Sequence, residues 1–292
     1  MSNKTKAILA ILFASIFGGA ASTVIKIAIR QIPPFSFSFI RFLIASIFLL
    51  PLFFKHKPKF DKDFRHLLLI SLLPTLNIGL FVIGLKTTTA SIAQMLYAGT
   101  PLIVGVLSYF LFGFSMKLKR WFFISIGLFG VSLVIFLPLI QKNAAHTGDL
   151  GGNLLIALGV ICWSIYAVYS KELQKKYSPL IITSVFFFVS TVIFFFLSFL
   201  EYSPKNIWWI NLKLSSIIGL LYASIFATVG SYMLNQYSFK FANPVLGSLN
   251  LYLIPIFAYF SAYVLLGEKL TIGLISGTIL VFLSITLATY FK

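Results

Sequence analysis

The sequence predicts an all-α integral membrane protein with ten transmembrane helices, arranged as two inverted five-helix repeats. Of its 292 residues, 59% are hydrophobic and 10% are charged, and the mean hydropathy is +1.00. A soluble domain carries about 25% charged residues, so this composition predicts a chain that is mostly surrounded by lipid. Ten long apolar runs predict the number of helices, and a weak similarity between the two halves predicts the repeat.

Each apolar run is close to the length of about 20 residues that a helix needs to cross a bilayer. The runs lack the alternation that the strands of a membrane barrel would show, which favours helices. The first run has 23 residues, more than the apolar region of about 7–15 residues in a cleaved signal peptide, so we predict a retained span. The ten runs cover residues 7–29, 35–54, 67–85, 90–112, 121–140, 154–170, 180–200, 214–234, 245–265 and 272–291.

The basic residues predict how the spans are oriented. The formal net charge is +17, which in a soluble protein would suggest a nucleic-acid partner. Here the basic residues fall in short loops between apolar runs, so we expect no nucleic acid and a lipid bilayer as the main partner. With the N-terminus inside, 15 of the 23 Lys and Arg residues lie in inner segments and 6 in outer segments. The positive-inside rule therefore predicts a multi-pass protein of the cell (inner) membrane with both termini in the cytoplasm.

Two alignments of the chain with itself indicate an internal repeat. A shift of 154 positions places residues 90–115 on residues 244–269, and a shift of 145 positions aligns residues near the beginnings of the halves. The matches are Pro101 with Pro255, Tyr109 with Tyr263, Gly113 with Gly267, Lys26 with Lys171 and Pro34 with Pro179. We predict a first repeat over 1–142, an outer linker over 143–149 and a second repeat over 150–292. Since five is odd, the second repeat enters the membrane from the opposite side, as in alternating-access transporters with a substrate site near mid-membrane.

Each half carries a set of motifs, which are Gly18-Gly19, Ser22, Lys26, Pro34 and Arg41 in the first half, and Pro255 with Leu266-Gly267-Glu268-Lys269-Leu270 in the second. These motifs resemble those of the drug/metabolite transporter superfamily, in its EamA-type branch. The resemblance covers essentially the whole chain and implies ten helices as five plus five. It also implies export or exchange of small metabolites, often amino acids or related compounds, through a central cavity. The family's Gly-Glu element usually recurs in both halves, whereas the first copy here reads Gly113-Phe114.

Lys26 and Arg41 are the charged residues that lie clearly inside predicted spans. Lys26 is three residues from the outer end of its run, where it either snorkels to the headgroups or lines an outer vestibule. Arg41 lies roughly 9 Å below the outer boundary, which predicts a side chain that faces the bundle. Two interpretations of Arg41 stay open. It pairs with Glu268, or it binds the carboxylate or phosphate of a substrate, for which the planar guanidinium is well suited.

Polar residues near the middle of other spans are further candidates for binding substrate. A carboxamide at Asn77 needs a partner in the membrane and either lines the cavity or bonds to another helix. Prolines in matching positions of the two halves free backbone carbonyls about one turn earlier and point to a transport site, although ordinary membrane-helix prolines are the alternative. The residues concerned are Gln94 and Tyr97 before Pro101, and Asn250 before Pro255.

The sixth and eighth runs contribute the last candidates. Trp163 and Tyr166 are three residues apart and could stack on a substrate, although such a stripe more often packs in the core. Ser231 and Asn235 are four residues apart and would share one helix face. A structural or gating role is predicted for a separate set, Gly19, Pro34, Pro101, Pro255 and Glu268.

The sequence offers little for catalysis. The three histidines lie in loops or at the edge of a span, no carboxylate lies inside a span, and there is no phosphate-binding glycine loop. We therefore expect no enzyme, no metal and no cofactor. The leading hypothesis is a secondary transporter of small polar metabolites. The alternatives are a receptor or assembly subunit on the same scaffold, or a membrane enzyme acting on lipid.

Overall fold

The computed structural model describes residues 3–56, 58, 60–113, 116–141, 144–204, 207–231, 233–234 and 244–290. Throughout these residues the regular structure is helical, without strands. The helices are α1 Asn3–Gly19, α2 Ala21–Ala28, α3 Pro34–Lys55, α4 Lys62–Ile70, α5 Leu72–Gly84, α6 Ala90–Ala98, α7 Thr100–Phe112, α8 Leu118–Ile135, α9 Leu137–Gln141, α10 Ala144–Thr147, α11 Leu150–Leu173, α12 Pro179–Ser198, α13 Leu214–Tyr222, α14 Pro244–Leu266 and α15 Ile272–Tyr290. A 3₁₀ turn, Phe199–Glu201, follows α12, and a π-helical segment, Ala223–Gly230, follows α13.

The helices fit the prediction of a membrane protein. Seven of them, counting adjoining segments together, are long and apolar enough to cross a membrane. They are Ile8–Ala28, Pro34–Lys55, Lys62–Gly84, Ala90–Phe112, Leu118–Ile135, Leu150–Leu173 and Pro179–Glu201. Three shorter apolar helices, Leu214–Gly230, Leu253–Leu266 and Ile272–Ala288, lie within the last three predicted runs. The count of ten spans therefore stays a prediction.

Helices from the two halves of the chain interleave in the bundle. The closest partners are α3 with α12, α5 with α11, α8 with α15, and α1 with α14. Small residues allow this approach, as expected for helix contacts in lipid. A Cβ atom at Gly19 would lie 2.6 Å from the Cβ of Phe257 and 2.7 Å from the carbonyl oxygen of Ile254, both on α14. The predicted contact role of Gly19 thus has a specific partner.

The two matching prolines lie in different local structures. Pro101 is in the first turn of α7, directly after a break at Gly99 that separates α6 from α7. Pro255 lies inside α14, which runs without a break from Pro244 to Leu266. A proline in the first turn of a helix loses no hydrogen bond, whereas one in the interior does. The two prolines therefore do not produce matching interruptions.

Candidate functional site

Glu201 caps the first turn of α3, the helix that begins at Pro34. Its carboxylate accepts hydrogen bonds from the backbone amides of Phe35 and Ser36, at 2.9 and 2.8 Å, and from the Ser36 hydroxyl at 3.0 Å. The first amides of a helix have no partner within the helix, and a negative charge there is favourable. Glu201 follows α12, so this cap joins the two halves of the chain.

Glu268 caps α6 in the same way from the segment after α14. Its carboxylate accepts from the amides of Ala90 and Ser91, at 2.8 and 3.0 Å, and from the Ser91 hydroxyl at 2.8 Å. Lys26 Nζ lies 3.4 Å from Glu268 Oε1 and also donates to the Thr88 carbonyl. Glu268 is buried, with 8% of its surface exposed. The partner of Glu268 is therefore Lys26, and the pairing of Glu268 with Arg41 that the sequence left open is not found.

A third cap from one helix to another lies beside these two. Gln31 follows α2, and its side-chain oxygen accepts from the Lys213 amide and the Ser216 hydroxyl, both at 2.8 Å, at the start of α13. We call the end of the bundle that carries Gln31, Glu201 and Glu268 the capped end. Three helix starts there are held by side chains from distant parts of the chain.

Arg41 is buried on α3, with 8% of its surface exposed. Its Nε donates to the Thr228 hydroxyl at 2.8 Å, and its guanidinium carbon lies 5.3 Å from the centre of the Phe42 ring. Among the described residues, no carboxylate lies within ion-pair distance of Arg41. A buried cation without a counter-ion is costly, so its terminal nitrogens are suited to an anion that enters from outside.

Arg41 lies on a cavity of about 260 Å³ that is lined from α3, α5, α11, α12 and the segment after α13, and we call it the central cavity. A second cavity of about 230 Å³ shares Trp163, Phe186 and Phe187 with it, so the two adjoin. The second cavity also reaches Gln174 and Pro179, at the C-terminal end of α11 and the start of α12. The remaining lining residues of the central cavity are Phe42, Ile78, Ala227, Thr228 and Ser231. The second cavity therefore lies on the side of Arg41 that faces away from the capped end.

Three predicted binding residues contribute differently to this region. Trp163 lines both cavities, and Tyr166 lines the second, with ring centres 5.4 Å apart. Ser231 lines the central cavity and donates to the Ala14 carbonyl at 3.3 Å. The aromatic pair thus combines packing with a place on the cavity wall, and Ser231 connects α1 to the cavity.

Asn77 and Tyr97 bond to each other between α5 and α6. The side-chain nitrogen of Asn77 donates to the Tyr97 hydroxyl, and Asn77 is 1% exposed. The carboxamide of Asn77 therefore forms a bond from one helix to another, as in the second of its two predicted interpretations.

Four other predicted residues lie away from the central cavity or outside the described part. Lys26 is held at the capped end and does not line the cavity around Arg41. Gln94 is half-buried on α6 and is not among the lining residues of either cavity. Asn235 and the side chain of Asn250 lie outside the described residues.

Sequence reasoning missed Thr228 and Gln31. A threonine in an apolar run is common, and nothing in its spacing marks it as the partner of Arg41. Gln31 lies in a predicted loop, where a polar residue is the default. For Glu201, one signal was available, because an isolated carboxylate immediately after a span is well placed to cap a neighbouring helix.

The opposite end of the bundle, which carries Lys62, Arg65 and Lys176, is called the basic end. The Tyr177 hydroxyl donates to Asp61 Oδ1 at 2.5 Å, and Lys176 bonds to Asp63. These two bonds join the start of α4 to the loop after α11. The bond from Tyr177, followed by that from the Phe64 amide, lowers the pKa of Asp61 below its usual 3.8. Asp61 also caps α4 through the Phe64 amide.

We expect the Tyr177→Phe substitution to raise the pKa of Asp61. A bond to the charged form lowers the folded-state pKa, so its stabilising effect is present above the ordinary value of 3.8 and disappears as pH falls through the folded-state value. At pH values well above 3.8, the variant should unfold at a lower temperature than wild type. At pH values well below the folded-state pKa of Asp61, the two unfolding temperatures should be equal. Carbon-13 NMR of the three labelled Asp carboxylates measures the shift directly. An unchanged Asp61 titration would contradict the assignment.

Metal chemistry has no support in the described part of the chain, where no group of three or more His, Cys, Asp and Glu side chains could hold an ion.

Comparison with known proteins places the chain in a family. The sequence model of the EamA-like transporter family matches residues 5–136 and again residues 150–290. The chain belongs to the EamA-like transporter family. It is thus a multi-pass membrane protein of a transporter family, with lipid around its apolar helices.

Individual EamA relatives match over most of their length. The "uncharacterized transporter YoaV" of Bacillus subtilis (strain 168) is 25% identical, over 98% of this chain and 97% of the relative. An "uncharacterized transporter in trpA 3'region" of Buchnera aphidicola subsp. Schlechtendalia chinensis is 30% identical, over 78% of this chain and 75% of the relative. A solved crystal structure has the same fold, with a TM-score of 0.64 and 16% identity over 99% of this chain and 96% of that chain.

Proposed function

We propose that this EamA protein is a secondary transporter that exports or exchanges small polar metabolites by alternating access. Amino acids and related zwitterions or anions are the first candidates. The observation that carries the proposal is Arg41, a buried cation on the central cavity with no carboxylate partner among the described residues. Its terminal nitrogens match the two oxygens of a carboxylate, and Trp163 offers an aromatic surface for the rest of the substrate.

The proposed topology has ten spans, with both termini in the cytoplasm of a cell whose inner membrane holds the protein. Residues 1–142 and 150–292 form two inverted repeats, joined by the outer linker 143–149. The two separate matches to the family model and the three shorter apolar helices support this arrangement. The excess of Lys and Arg in the loops of the basic end supports a cytoplasmic position for that end.

In this topology we infer that the structure represents an inward-facing state. The second cavity, which adjoins the central cavity, reaches Gln174 and Pro179 at the basic end and supports this assignment. The capped end is held by the bonds of Glu201, Glu268 and Gln31. Alternating access requires these caps to open and the basic end to close, so Glu268 has a gating role together with Lys26.

Cysteine labelling tests which side of the membrane the basic end faces. In a Cys162→Ala background, Gln174→Cys should react with a membrane-impermeant maleimide in inside-out vesicles and not in right-side-out vesicles. Lys86→Cys, an exposed position at the capped end, is the matched control with the opposite pattern. Labelling of Gln174→Cys from the outside alone would reverse the proposed orientation.

Transport itself is tested with purified protein in liposomes loaded with unlabelled L-amino acids. Counterflow of an external mixture of carbon-14 L-amino acids is expected, and empty liposomes are the control. A receptor or assembly subunit would bind the mixture without flux, and that result would overturn the transport proposal. A thermal-shift screen of a metabolite library then extends the test to other small anions and zwitterions.

A further inference from the structure

The helix that begins at Leu214 changes its winding where it passes Arg41. It is α-helical to Tyr222 and π-helical over Ala223–Gly230. Two side-chain hydroxyls on this helix show the change in their hydrogen bonds. Ser224 donates to the Leu220 carbonyl, four residues back as in an α-helix, at 2.7 Å. Thr228 donates to the Ala223 carbonyl, five residues back, also at 2.7 Å. Segments of π-helix are rare, are usually limited to one turn and often mark functional sites.

The bond to Ala223 fixes what Thr228 can offer to Arg41. A hydroxyl has one proton and two lone pairs, and the proton of Thr228 is used on the Ala223 carbonyl. The oxygen therefore faces Arg41 as an acceptor, and Arg41 Nε donates to it at 2.8 Å. Thr228 is buried, so water competes little for this bond.

The bond at Nε determines which edge of the guanidinium remains for a ligand. A carboxylate can bind side-on, through Nε and one terminal nitrogen, or end-on, through both terminal nitrogens. Because Thr228 occupies Nε, the side-on mode is blocked. The two terminal nitrogens form no hydrogen bond with the described residues, and Arg41 lines the central cavity with Thr228 beside it.

We propose that Thr228 is a positioning residue that turns Arg41 end-on to the anionic group of the substrate, and that the π-helical turn places Thr228 there. The inference rests on the proposed function and deepens it, since an end-on fork favours a carboxylate over a neutral amide of the same shape. In a regular α-helix the Thr228 hydroxyl would donate to the carbonyl four residues back, that of Ser224, instead of that of Ala223. Its oxygen would then point in another direction.

Two substitutions separate the hydroxyl from the shape of the side chain. Thr228→Val removes the hydroxyl and keeps the volume, while Thr228→Ser keeps the hydroxyl. Thr191→Val is a matched control, because Thr191 also lies on a membrane helix and donates to the carbonyl four residues back, that of Phe187, at 2.8 Å. Its hydroxyl also lies 3.0 Å from that of Ser46 on α3, whereas Arg41 bonds to Thr228.

The first measurement tests whether Arg41 Nε is hydrogen-bonded, and it needs no substrate. Nitrogen-15 labelling of the four arginines gives four Nε–H signals, and Arg41→Lys assigns the one in question. Hydrogen exchange at Arg41 Nε should be at least about tenfold faster in Thr228→Val than in wild type. It should remain near wild type in Thr228→Ser and Thr191→Val. Equal exchange in wild type and Thr228→Val would overturn the positioning role.

The second measurement reads binding with carbon-14 L-amino acids as the probe and their carboxamides as competitors. Thr228→Val should weaken binding about tenfold and lose the preference for carboxylate over amide, while Thr228→Ser keeps both. Unchanged affinity and preference in Thr228→Val would overturn the inference and leave the proposed function standing. If wild type binds none of the probes, the amino-acid substrate class fails, and end-on recognition of these carboxylates fails with it.

Discussion

Replacement of Arg41 by alanine is expected to lower the transport rate by about two orders of magnitude while the protein stays folded and inserted. Removal of one partner from a buried, hydrogen-bonded charge pair costs about 2–5 kcal/mol, and here the second partner is the substrate. The fold should tolerate the change, because Arg41 is buried without a carboxylate partner in the described chain and its removal relieves a desolvated charge. Counterflow in proteoliposomes measures the rate, and thermal unfolding in detergent measures stability.

Two further variants give this prediction its controls. Arg41→Lys keeps the positive charge and loses the fork, so it should recover only part of the rate. Lys86→Ala removes one positive charge from an exposed position at the capped end and should transport like wild type. Wild-type transport by Arg41→Ala would remove Arg41 from the binding site. A large loss of thermal stability in that variant would instead assign Arg41 a structural role.

The positions of the long helices could be predicted because hydropathy alone determines them. The run over 35–54 corresponds to Pro34–Lys55, with a proline at its start where the backbone amide needs no partner. The run over 121–140 shows the limit. It covers most of α8, which ends at Ile135, and most of the separate short helix Leu137–Gln141. Both are apolar, so the hydropathy of the run does not reveal the break.

The candidate site could be predicted only in part because depth in the membrane does not determine which neighbour a side chain meets. Arg41 was expected to face the bundle, and the structure places it on the central cavity. Lys26 is also inside a span, yet it meets Glu268 and the Thr88 carbonyl at the capped end. The interleaving of the two halves decides these partners, and Thr228 contacts Arg41 from a π-helical segment that no residue pattern predicted.

Loss of the Glu268 carboxylate is expected to be the most destabilising single change at the capped end. In Glu268→Ala the amides of Ala90 and Ser91 lose their acceptor, and Lys26 keeps a partly buried charge without its counter-ion. Removal of one partner from such a buried ion pair lowers the free energy of unfolding by about 3 kcal/mol. We expect a lower thermal unfolding temperature. In the Cys162→Ala background, we also expect a cysteine introduced at the capped end to react faster with a maleimide from outside. The reason is that Glu268, in the segment after α14, no longer bonds to α2 and α6 in the closed state.

Glu201→Ala is the matched control for this effect, because Glu201 also caps a helix start but has no ion pair among the described residues. Its cost should be that of a lost cap, about 1 kcal/mol. The double variant Lys26→Met/Glu268→Ala should be more stable than Glu268→Ala alone, since it removes the unpaired cation. If Glu201→Ala and Glu268→Ala are equally destabilising and Lys26→Met recovers nothing, the ion pair contributes no stability and closure of this end depends on the helix caps alone.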